Sequence, residues 1–128
     1  MDIKCRSGRI TPSAMVMVAT VRALKYHGGV DLADLSKPDV EAVKRGLANL
    51  DRHLENGRVF GVSTIVAVNK FSADTDEEVK AVIDHCEKHG FKAFAVDYWA
   101  EGGKGGLELA EEVVKQADAC ESHFKPVY

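Results

Sequence analysis

The chain has 128 residues, enough for one hydrophobic core but not for two. A formal net charge of -3 and a pI near 5.9, with no Lys/Arg-rich cluster, give no reason to expect a nucleic-acid partner. No apolar run approaches the roughly 18 residues of a membrane span, and Met1-Asp2-Ile3-Lys4 does not begin a signal peptide. Met1 to Arg9 has no clear period and reads as a lead-in. Ala14 to Val21 (AMVMVATV) is a continuous apolar run, the composition of a buried strand. Arg22 to Gly29 then reads as a loop at that strand's carboxyl end. Ser36-Lys37-Pro38-Asp39 starts a helix: Ser36 can cap, Pro38 suits the first turn, and Asp39 suits the positive end. Val40, Val43, Leu47, Leu50 and Leu54 then form one apolar stripe, and Asn56-Gly57 is the expected stop.

Val62 to Val68 is a second buried strand, ending on the polar pair Asn69-Lys70 with Phe71 already in the loop beyond. Thr75 and Glu78 form a capping box, which opens a helix from about Asp76 to His89 with Val79, Val82, Ile83 and Cys86 inward. Phe91 to Val96 is the third strand, Asp97 to Gly106 its carboxyl-end loop, and Leu107 to Ala119 the last helix. The polar tail to Tyr128 carries two aromatics and has no evident partner within the chain. The order is β-α-β-α-β-α. Such strands run parallel with right-handed crossovers, so the unusual loops gather on one sheet edge.

In open α/β sheets, ligands sit outside the carboxyl ends of the strands. Phe71 and Trp99 each follow a buried strand there, and two such rings can grip a flat heterocycle by stacking. Taken singly, each ring would more simply pack under a neighbouring loop. Asn69-Lys70 partly resembles the base-reading motif of P-loop nucleotide enzymes, but Ser72 stands where that motif has Asp. A polar strand end is the plainer reading. Gly102-Gly103-Lys104-Gly105-Gly106 before a helix offers backbone N–H groups to an anion, though glycine-rich loops are usually tight turns. No GxxxxGK[ST] phosphate loop occurs. His27, beside Gly28-Gly29, is either a polar contact on the ligand edge or a turn stabiliser. His85, Cys86 and His89 have a metal-like spacing, but Cys86 lies in the apolar stripe and His85 projects away from it, so no metal site is assigned. No nucleophile with a paired base is readable. Cys5, Cys86 and Cys120 are odd in number, widely spaced and without a CxxC, which suits a reducing cytosol.

Four long strings carry a more specific signal: VATVRALKYHGG (Val18 to Gly29), GLANLDRHLEN (Gly46 to Asn56), FGVSTIVAVNKFSADTDEE (Phe60 to Glu78) and WAEGGKGGLELAEEVV (Trp99 to Val114). Together they closely resemble the formate–tetrahydrofolate ligase family, in the family's order, from about Cys5 to Tyr128. The resemblance implies a partial piece of a three-layer, P-loop-type parallel α/β sheet, with residues 1–128 as one partial domain. It also implies a cytoplasmic, oligomeric enzyme of one-carbon metabolism. That enzyme joins formate to tetrahydrofolate using ATP and Mg²⁺ through formyl phosphate. By the same resemblance, Phe71 and Trp99 hold the folate ring, Gly102 and Gly103 lie beside it, and Asn69 marks the nucleotide and pterin edge. Lys70 and His27 are further candidates for that edge. The family usually has proline where Ser63 and Ser72 stand here, and the second change leaves the Phe71 loop less rigid. Its subunit is several times longer and carries the phosphate-binding loop outside this region. The chain is therefore expected to be an internal piece, inactive alone. A freestanding folate- or nucleotide-binding module without catalysis, or a structural remnant without a ligand, are the rival readings.

Overall fold

The computed structural model describes residues 1–119 and 121–128; Cys120 lies outside the described residues. In chain order the elements are α1 (Asp2–Gly8), β1 (Met15–Ala19), α2 (Val21–His27), α3 (Val40–Val59), β2 (Thr64–Asn69), α4 (Asp76–Lys88), β3 (Ala93–Val96), α5 (Tyr98–Glu101) and α6 (Leu107–Ala119). Short 3₁₀ turns lie at Leu32–Asp34 and Gly102–Gly106. The three strands form a parallel sheet in the order β1-β2-β3. Met15 to Ala19 pair with Thr64 to Val68, and Val66 to Asn69 pair with Ala93 to Val96. No helix among the described residues is long and apolar enough to cross a membrane.

Strand alternation divides the sheet between two cores. Val66, Val68, Ala19 and Ala93 face the stripes of α3 (Val43, Leu47, Leu50, Leu54) and α4 (Val79, Val82, Cys86). Ile65, Ala67 and Val96 face Leu109 of α6, with Phe94 and Val113 at the margin. The result is three layers, helices on both faces of a partial parallel sheet, as the sequence led us to expect. Cys86 is fully buried, and burial, with the charges of Asp51 and Glu87, pushes its thiol up to about 11.

Five expectations need correcting. The cap of α3 is Asp39, whose Oδ1 accepts from Ala42 N–H at 2.8 Å, so Ser36 and Pro38 both lie before the helix. Residues 2–8 are helical, closed by Arg9 in the left-handed region at φ 53°. Residues 21–27 form α2, where a loop was expected: the Thr20 hydroxyl accepts from Ala23 N–H, and Val21, Leu24 and Lys25 recur on its buried side. This helix lies unusually close to α3. A Cβ at Gly28 would stand 2.0 Å from the Ala42 carbonyl oxygen, and one at Gly46 would stand 1.9 Å from that of Leu24. Next, α3 does not stop at Asn56-Gly57 but runs to Val59, because Gly57 is a packing position: a Cβ there would meet Met15 and Thr64 at 2.6 Å.

The tail, finally, has partners within the chain. His123 N–H donates to the Gly61 carbonyl at 2.7 Å and Lys125 N–H to that of Phe60 at 3.0 Å. Phe124 stacks on Phe60 with centroids 6.0 Å apart, and Val127 N–H reaches Asp2 Oδ1 at 2.8 Å. Ser63 takes part as well. Its N–H donates to Ser122 Oγ at 3.0 Å, a bond that a proline there would lack.

Candidate ligand-binding edge

The carboxyl ends of β2 and β3 are locked side by side. Asn69 pairs with Val96, and Lys70 N–H donates to the Val96 carbonyl at 2.9 Å. Phe71 therefore leaves the sheet beside the start of α5, which carries Trp99. The Phe71 loop is a turn closed twice: Phe71 N–H donates to Asp74 Oδ2 and Asp74 N–H to the Phe71 carbonyl, both at 2.9 Å. Ser72 occupies the second position of this turn, where proline is favoured, and the two bonds hold the backbone without it. The Phe71 ring stays 47 % exposed.

Trp99 is set by a separate device. Asp97 caps α5, its Oδ1 accepting from Ala100 N–H at 2.9 Å, so the chain turns directly after β3. Trp99 projects from this single turn and is 86 % exposed. That value rules out a packing role within the described fold. Tyr98, from the same turn, lies against Gly106, where a Cβ would stand 2.4 Å from its ring, and is itself 48 % exposed.

The glycines of the 102–106 run differ in what requires them. Gly102 needs its φ of 59° with ψ of -141°, a region that only glycine enters readily. Gly105 lies against the Asp97 carbonyl oxygen, 2.5 Å from where its Cβ would be. Gly103 meets nothing within 4 Å, so packing does not require glycine there. As an anion cradle the run is partly spent: Gly102 N–H donates to the Tyr98 carbonyl and Leu107 N–H to that of Lys104. Lys70 is committed too. Its ammonium bonds Asp76 Oδ1 at 2.7 Å. That bond chiefly raises the Lys70 pKa, with the Asp76, Asp97 and Asp74 charges adding to it, and Lys70 in turn lowers that of Asp76.

Asn69 ends β2, and Lys70, Phe71, Trp99, Gly102 and Gly103 follow the ends of two adjacent strands. His27 is held on the β1 side instead. There it lines a cavity of about 380 Å³ with Thr20, Asn49 and His53. Sequence reading missed Asp74 and Asp97, which set the poses of Phe71 and Trp99. Asp three residues before the bonded N–H was the available signal at 97; at 74 the bond runs backwards and leaves no such pattern. Among the described residues, the edge offers exposed aromatic side chains and backbone groups.

The family model described as formate–tetrahydrofolate ligase matches residues 1–128. This chain belongs to the formate–tetrahydrofolate ligase family. A formate–tetrahydrofolate ligase of Granulibacter bethesdensis is 54% identical over 127 residues, covering 99% of this chain and 22% of the relative. One from Bacillus licheniformis is 49% identical over 128 residues, covering 100% of this chain and 23% of the relative. The chain thus spans under a quarter of the length of these curated family members.

Proposed function

We propose that the chain supplies the pterin-stacking side of a ligase that forms 10-formyltetrahydrofolate from formate, tetrahydrofolate and ATP. The observation that carries this reading is the pair of solvent-facing rings, Phe71 and Trp99, rooted in neighbouring parallel strands. An aromatic face left bare is favoured where a ligand covers it. A pterin is flat, heteroaromatic and edged with hydrogen-bonding groups, so it matches two ring faces flanked by Asn69 and the open backbone at Gly102 and Gly103. These groups bind and orient the acceptor.

ATP and Mg²⁺ are cofactors of the whole ligase in this reading, which works in the cytoplasm as an oligomer. The residues present do not supply the set that phosphates and Mg²⁺ need: the chain has no GxxxxGK[ST] loop, and Lys70 is paired with Asp76. That chemistry falls to the remaining length of the enzyme. The purified 128-residue chain should therefore show no ATP- and formate-dependent formyltetrahydrofolate production. Turnover by that chain would overturn this division of labour.

The test of the folate assignment uses the full-length ligase with Trp99→Ala. Base-on-aromatic stacking is worth about 1–3 kcal/mol, so the tetrahydrofolate Kd should rise roughly 5- to 150-fold. ATP affinity should barely change. Unchanged folate affinity would remove the assignment and favour a module or remnant without folate.

A further inference from the structure

Away from this edge, α3 and α4 bring three metal-competent side chains together: Asp51, His85 and His89. Each offers one ligand atom, and those atoms lie within 4.8 Å of one another. Donors around a single ion, at roughly 2.0–2.2 Å from it, stand roughly 3–4 Å apart, so a small side-chain adjustment closes the set. His85 and His89 are four residues apart at the end of α4, hence neighbours on one helix face. Their rings are 4.3 Å apart at the centroids.

Opposite them stands Asp51 of α3, whose Oδ1 is 2.7 Å from His85 Nε2. An ion taking the place of the shared proton would keep both partners. His89 Nδ1–H donates to the His85 carbonyl at 2.8 Å, a bond that fixes the tautomer and leaves Nε2 with a free lone pair. Cys86, between the histidines in sequence, is buried in the core and leaves the donor set as two nitrogens and one oxygen. Beside His89 and Asp51 a cavity of about 380 Å³, bordered by Arg52, Glu55 and Arg58, gives room for water ligands. Arg58 does not crowd it as a free cation, since its guanidinium bonds the His89 carbonyl at 2.7 Å and lies 3.6 Å from Glu55.

We propose that Asp51, His85 and His89 form a surface site for one divalent transition-metal ion. Imidazole and carboxylate donors suit Zn²⁺, Co²⁺, Ni²⁺ or Cu²⁺, whereas Mg²⁺ prefers oxygen alone. The bound ion would pin α4 to α3 and stabilise the folded chain by mass action. The site is independent of folate binding.

The test titrates the chain with Zn²⁺ by calorimetry and with Co²⁺ by visible absorption, in a Cys5→Ser/Cys120→Ser background that removes competing thiols. Saturation at one ion per chain is expected, with a Zn²⁺-dependent rise in Tm and no response to Mg²⁺. His85→Ala and His89→Ala should each weaken binding tenfold or more and abolish the Tm rise. His53→Ala, an exposed histidine outside the set, should change neither. Circular dichroism of each variant in the absence of metal confirms that its fold is retained. Non-saturable binding, or binding that survives both His85→Ala and His89→Ala, would overturn the site.

Discussion

Lys25 and Glu78, both with fully buried side chains, meet at 3.0 Å across 53 residues of sequence. Lys25 Nζ also donates to the Lys37 carbonyl at 3.1 Å. Glu78 accepts from Asp39 N–H at 2.9 Å, Thr75 N–H at 2.9 Å and Thr75 Oγ1 at 3.0 Å. One carboxylate therefore ties together α2, the start of α3 and the start of α4. Removing one partner of a buried pair costs about 3–5 kcal/mol, because the other charge stays buried and unpaired. Lys25→Met should lose stability of that order in chemical unfolding, and Lys25→Met/Glu78→Gln, which removes the stranded charge but keeps an acceptor for the Asp39 and Thr75 donors, should recover part of it. Burial alone would raise the Glu78 pKa, but the Thr75, Asp39 and Lys25 donors outweigh it and hold the carboxyl below its ordinary value. A lowered folded-state pKa gives stability that is present above the unfolded value, about 4.3 for glutamate, and lost as pH falls through the folded one. Unfolding measured from pH 7 to pH 3 should thus show a loss below about pH 4.3 that Glu78→Gln blunts. The capping box of Thr75 and Glu78 was legible because it is local. Its bond to Lys25 was not, since no spacing rule links positions so far apart.

At the scale of elements, β1 is the weak point of the sheet. Among the described residues it pairs only with β2, and α6 covers β2 and β3 but not β1 on its side. Val18 is 63 % exposed there, next to the exposed Val16. An unpaired edge with bare β-branched residues invites association with another chain. The 128-residue chain should self-associate in light scattering, and Val18→Lys should shift it toward monomer at equal protein concentration. A wild-type chain that stayed monomeric with a uniformly protected core in hydrogen exchange would contradict this. The strands and α3, α4 and α6 were readable from apolar runs and stripes. The helix α2 was not, because Ala14 to Val21 reads as one unbroken run. Thr20, the cap that divides strand from helix, sits inside it. The tail's partners were hidden for another reason: Phe60 and Gly61 receive it through their carbonyls and one ring stack, and Asp2 through its carboxylate, none with a sequence signature.

For the molecule as a whole, both aromatics of the candidate edge were legible from their place after buried strands. Their exposure, which argues against packing within the described fold, needed the structure. The central claim is that Phe71 and Trp99 hold one flat ligand jointly. It is tested most directly by a double-mutant cycle on tetrahydrofolate binding in the full-length ligase, using Phe71→Ala, Trp99→Ala and the pair. Each single change should weaken binding, while melting temperatures should move little, because neither ring is buried in the described fold. The double variant should lose less than the sum of the two single losses, since each ring stacks best when the other fixes the pterin. Full folate affinity in both single variants, with melting temperatures sharply lowered, would contradict the account and make the two rings packing residues.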